Sequence, residues 1–209
     1  MIDYVVKDVM EVAGYLPIGI ICGIAAIVVY IICNRLRSRK LSSMEGAEPG
    51  SRQHTGLTVS VRSHMWNVIV WFLFVVYMVV MFITVFLSRE PGSRQGIDMT
   101  LFGTWGETPQ AHAFVIENIL LFVPFGILYP LAVSTTDRKP DLRKKIGWEK
   151  FTVLWGFLIS VGIETVQLIT ERGYCQLDDV VMNTLGALVG YVVFASLKFW
   201  TGLVFEKQT

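Results

Sequence analysis

Residues 164–190 read ETVQLITERGYCQLDDVVMNTLGALVG. The stretch sets two carboxamides, three carboxylates and an arginine, namely Glu164, Gln167, Arg172, Asp178, Asp179 and Asn183, at the facing ends of two apolar runs. A run of about 20 apolar residues crosses the roughly 30 Å of a bilayer's hydrocarbon as a helix, so two such runs joined by a short loop form a membrane hairpin. A charged side chain at the centre of such a helix costs about 2.5–3.5 kcal/mol unless it is paired or wetted. Polar residues gathered there are therefore a functional-site hypothesis.

The same block pattern extends outward in both directions. Apolar residues make up 53% of the 209 positions and the mean hydropathy is +0.54. They fall in long blocks instead of at amphipathic spacing, which excludes an ordinary soluble domain. The expected fold is an all-α polytopic membrane bundle of five transmembrane helices: 12–33, 66–87, 113–133, 151–170 and about 180–200. The segment before the first run is acidic and the run is too long for the core of a signal peptide, so it is expected to stay as a first helix. The chain divides into an N-terminal helix (1–33), a basic linker (34–65) rich in Ser and Gly at its middle, a four-helix membrane domain (66–200) and a tail (201–209). Pro124, within Phe122-Val123-Pro124-Phe125-Gly126, is expected to kink or break the third span. Cys22, Cys33 and Cys175 make no disulfide framework.

Lysine and arginine fix the expected orientation. The linker carries Arg35, Arg37, Arg39, Lys40, Arg52 and Arg62, and the loop after the third span carries Arg138, Lys139, Arg143, Lys144, Lys145 and Lys150. The other two loops hold only Arg89 with Arg94, and Arg172. The basic loops belong in the cytoplasm, which puts the N-terminus outside and the C-terminal tail inside. Under this topology Arg89, Glu117, Asn118, Glu164, Gln167, Arg172, Asp178, Asp179 and Asn183 all meet at the outer leaflet. Glu164 and Gln167 share a helix face at i, i+3, as Asp179 and Asn183 do at i, i+4. Gly186 and Gly190 continue the second face as a seam for close helix packing, and Pro124 and Gly126 are assigned to helix packing as well.

Asn118, Pro124-Phe125-Gly126, Glu164 with Gln167, Arg172, Asp178-Asp179, Asn183, Gly186 and Gly190, taken in this order, resemble the VanZ-like family of bacterial membrane proteins. The resemblance covers roughly residues 70–197, and Arg89 fits an arginine of that family. The segment Asp98-Met99-Thr100-Leu101-Phe102-Gly103-Thr104-Trp105 departs from the family's pattern. The resemblance implies a multi-pass protein of the bacterial cell membrane, associated with resistance to teicoplanin-like lipoglycopeptides.

The residues leave two classes of function open. One is a binding protein whose outer-leaflet pocket takes a membrane lipid, a lipid-linked envelope precursor or a lipoglycopeptide. There Arg89 and Arg172 would hold a phosphate or carboxylate bidentately, with Asn118, Gln167, Asp178 and Asn183 completing the substrate contacts. The other is an intramembrane hydrolase or transferase with Glu164 and Asp179 as catalytic acid and base. A divalent cation bridging the carboxylates to phosphate is a possible cofactor. Nucleic acid is not an expected partner. A structural reading competes for each polar residue singly, since such side chains also tie helices together by hydrogen bonds worth about 0.6–2 kcal/mol each.

Overall fold

The computed structural model describes residues 2–44, 57–92, 96–102, 108–135 and 147–206. The described residues are helical almost throughout: α1 (Ile2–Ala13), α2 (Leu16–Met44), α3 (Leu57–Phe82), α4 (Pro109–Thr135), α5 (Thr152–Ile169) and α6 (Leu177–Glu206). A π turn, Ile83–Leu87, closes α3, and a 3₁₀ turn, Trp148–Phe151, leads into α5. Five segments are long and apolar enough to cross a membrane: Ile2–Cys33, Met65–Leu87, Pro109–Ser134, Trp148–Ile169 and Leu177–Thr201. They make this a multi-pass, membrane-spanning fold.

Two boundaries differ from the sequence reading. Residues 2–13 are a helix of their own, covering the acidic segment that precedes the expected first span. Pro17, second in α2, has no N–H to give the Ala13 carbonyl, and Tyr15 N–H closes on Val12 at 3.0 Å, so the helix breaks at Gly14 and Tyr15. Between the first two spans, α2 runs on to Met44 and α3 begins at Leu57. Arg, Leu, Lys and Met are good helix formers, which lets the basic stretch after Cys33 prolong α2. The linker's centre, 45–56, lies outside the described residues, as do Arg94, residues 103–107 and the basic residues 138–145.

α4 is the central helix. It packs most extensively against α6 and also touches α1, α3 and α5, while α2 lies on the outer side of α3. Met81, Val85, Phe122, Phe125, Ile163 and Ala187 form the core where α3, α4, α5 and α6 meet. The α4/α6 crossing is close because glycine lines both sides. A Cβ at Gly126 would collide with the Ala187 carbonyl oxygen, one at Gly186 with that of Ile119, and one at Gly190 with that of Val123. α4 also passes through Pro124 and Pro130 without interruption. Pro124 cannot donate to Leu120, but Tyr77 of α3 donates to the neighbouring Leu121 carbonyl at 2.9 Å, supplying a polar contact where the ladder is weakened.

At the end of the bundle that carries Arg89, the loops are stitched together. β1 (Ile97–Asp98) pairs in parallel with β2 (Cys175–Gln176), in the register Ile97 to Cys175 and Asp98 to Gln176. Gly92 N–H reaches the Glu171 carbonyl at 2.9 Å. Phe102 N–H is held by Asp178 Oδ1 at 2.5 Å. At the opposite end Lys198 of α6 forms an ion pair with Glu149 at 3.1 Å.

Candidate functional site

The site begins with the way α3 ends. A helix leaves its last four carbonyls without intrahelical partners. Here Ser88 N–H reaches back five residues to Ile83 at 3.0 Å, the widened spacing of a π turn. The carbonyls that follow are taken by side chains. Ser88 Oγ donates to Thr84 at 2.6 Å, and Gln167 Nε2 of α5 donates to Val85 at 3.2 Å. Arg172 Nη1 donates to Phe86 and, at 3.2 Å, to Arg89. These contacts fix the backbone from which Arg89 projects. Its Nη1 lies over Gly173, where a Cβ would come within 2.8 Å of it.

Arg89 faces a cavity of about 450 Å³ between α1, α3, α4, α5 and α6. One wall is apolar, formed by Val9, Val12, Val80, Leu120, Leu121 and Ile163. The polar lining includes Asp8, Arg89, Glu117, Asn118, Glu164, Gln167, Asp179 and Asn183, beside the hydroxyls of Tyr77 and Thr84, which donate to backbone carbonyls. Glu164, Gln167 and Asn183 are only 3%, 2% and 3% exposed. Such burial is uncommon for these residue types unless they are paired or hydrogen-bonded.

Each buried group is held on one side. Gln176 N–H donates to Glu164 Oε2 at 3.0 Å, and Asn118 Nδ2 donates to Asp179 Oδ1 at 2.7 Å. Asn183 Nδ2 donates to Ser160 Oγ at 2.9 Å, tying α6 to α5. Three acceptor atoms are buried with no hydrogen-bond partner among the described residues: Glu117 Oε1, Gln167 Oε1 and Asn183 Oδ1. The orientation of Gln167 is fixed chemically, because only its amide nitrogen can serve the Val85 carbonyl. Among the described residues Lys198–Glu149 is the one ion pair within 4.0 Å, so Arg89 confronts Glu164 and Asp179 without touching either.

The structure thus brings Arg89, Asn118, Glu164, Gln167, Asp179 and Asn183 to one cavity. Arg172 and Asp178 do not line it. Arg172 serves the end of α3, and Asp178 serves the loop at Phe102. Pro124 lines the cavity, whereas Gly126, Gly186 and Gly190 are spent on the α4/α6 crossing. No group of three or more His, Cys, Asp or Glu side chains among the described residues converges closely enough to hold a metal ion.

Two features lay outside the residues assigned roles from sequence. Glu117 was visible as an acid in an apolar run beside Asn118, and it lines the cavity. Asp8 was not marked at all, although Val5, Asp8 and Val12 recur at the i, i+3, i+7 spacing of one helix face, and these positions are partly buried. In β2, beside the cavity, burial and then the charges of Glu164 and Asp179 push the Cys175 thiol upward, leaving little thiolate at neutral pH.

The family model described as VanZ/LLP1 matches residues 68–199, which holds α3 from its fourth turn through most of α6 and leaves α1 and α2 outside. No curated protein and no solved structure matches the chain.

Proposed function

The chain belongs to the VanZ/LLP1 family, and from that premise we propose that it binds the polar head of an amphiphile from within the membrane, as a protein of the bacterial envelope. Its N-terminus lies outside and the cavity opens at the outer leaflet. The amphiphile is an envelope lipid, a lipid-linked precursor or the lipid-tailed glycopeptide itself, and its capture contributes to teicoplanin-type resistance. The observation that carries the proposal is the construction of the cavity. An apolar wall of Val80, Leu120, Leu121 and Ile163 adjoins a polar lining in which Arg89 stands apart from Glu164 and Asp179. A lipid chain suits the first and a charged head the second.

The reading is tested by susceptibility. Wild type, Glu164→Gln and Asp179→Asn are produced in a susceptible Gram-positive host at equal membrane abundance. Protection against teicoplanin but not vancomycin, lost in both variants, is the expected outcome. Variants that protect as well as wild type would reduce the cavity to a packing defect.

A second reading, hydrolysis or group transfer on the same amphiphile, is favoured by one detail. Glu164 and Asp179 each have one carboxylate oxygen fixed by an N–H donor, which orients both groups as an acid–base pair requires. Turnover of a labelled envelope lipid by the purified chain, abolished in Glu164→Gln with binding retained, would establish it.

A further inference from the structure

The reading above leaves open what kind of head the cavity accepts, and its lining is unbalanced. Among the described residues, four carboxylates, Asp8, Glu117, Glu164 and Asp179, face a single guanidinium, Arg89. Lys7, the neighbouring base on α1, is exposed and does not line the cavity. Beyond the carboxylates, Gln167 and Asn183, each at least nine-tenths buried, line the cavity with an amide oxygen that has no partner among the described residues. The site is rich in acceptors and poor in donors. A purely anionic head would satisfy Arg89 and nothing else.

Asp8 and Glu117 sharpen the point. Both line the cavity, Asp8 from α1 and Glu117 from α4, two helices that touch. Two carboxylates lining one cavity favour a cationic group between them. Glu117 Oε1 is buried and unpartnered beside them. The four carboxylates come from α1, α4, α5 and α6, so the negative charge is spread around the cavity and suits an extended organic cation. α1 presents Asp8, Val9 and Val12 to the cavity, while Ile2, Val6 and Met10 stay exposed at 70%, 54% and 68%. An amphipathic helix with that outward face rests in lipid and carries Asp8 to the rim of the site.

Resting on the amphiphile reading, we propose that the bound head carries a protonated amine together with an acidic group. Arg89 takes the acidic group, and Asp8 with Glu117 takes the amine. α1 is thereby a specificity element that lies outside the region the family model matches.

The test uses the full chain in detergent micelles and three probes with the same fluorescent acyl chain: phosphatidylethanolamine, its N-acetylated form and phosphatidylglycerol. Binding is read by anisotropy, and correct folding of each variant by monodisperse elution and helical circular dichroism. Wild type should bind phosphatidylethanolamine at least about tenfold more tightly than the other two. Asp8→Asn and Glu117→Gln should each erase that preference and leave the affinity for the N-acetylated lipid unchanged, while Arg89→Gln should weaken all three probes. Equal binding of amine and N-acetylated lipid, or a preference that survives both acid substitutions, overturns the amine assignment and leaves the amphiphile reading standing. Absence of binding by any probe overturns both.

Discussion

Gly173 shows how a residue with no functional group governs one that has it. The Arg89 guanidinium occupies the space a side chain would fill, with Nη1 2.8 Å from where a Cβ would stand and Gln167 Oε1 3.3 Å from the same point. Gly173→Ala should displace the guanidinium, the far end of a flexible chain, without disturbing the helices. A charge-assisted contact is worth about 1.5–3 kcal/mol, so affinity for an acidic head should fall about tenfold or more at a nearly unchanged melting temperature. A variant that binds normally would mean that Arg89 does not hold the head. The polar residues at this end were legible from sequence by type, because acids and amides inside apolar runs are conspicuous. Their division of labour was not. Reading charges as mutual partners gave Arg172 a ligand, whereas the structure uses it on the carbonyls of Phe86 and Arg89. Which of these it serves depends on where α3 stops, and an apolar run does not mark the last carbonyl of its helix.

Among the elements, the end of α3 and the α4/α6 crossing position the site. Arg172→Ala removes the donor for two carbonyls of a helix end, at a cost of about 1–3 kcal/mol if they stay unsatisfied. Because Arg89 is one of those two residues, the variant should lose stability and head-group binding together, with Arg172→Lys recovering part of both. Loss of binding at full thermal stability would instead argue that Arg172 touches the ligand. The crossing behaves differently. Gly190→Ala drives a methyl group into the Val123 backbone, and overpacking of this kind costs about 1–3 kcal/mol. Its melting temperature in detergent should fall clearly below that of wild type, whereas Gly162→Ala, where nothing lies within 4 Å, should melt like wild type. The seam at Gly186 and Gly190 could be read from its four-residue spacing. The proline segment was harder to read. Pro124 removes a donor from α4, yet packing by α3 and α6 and the Tyr77 contact keep the helix continuous.

For the whole molecule, the five spans were legible because hydrocarbon thickness sets a length that composition alone reveals. α1 shows the limit. Its break depends on Pro17 and its seat on packing against α4, an element far along the chain. Hydropathy merges α1 with α2 into one apolar stretch, Ile2–Cys33. The resulting protein is a four-helix unit with a polar cavity near one end, to which α2 adds a flanking helix against α3 and α1 a rim against α4. Its central claim is that the cavity holds the head of a membrane amphiphile. Native mass spectrometry of the full chain, released from micelles after extraction from its own membrane, measures that directly. Wild type is predicted to retain one amphiphile per chain, and Arg89→Gln to lose it while remaining folded. A wild-type chain that carries nothing, or an Arg89→Gln chain that carries the same load, would contradict the account.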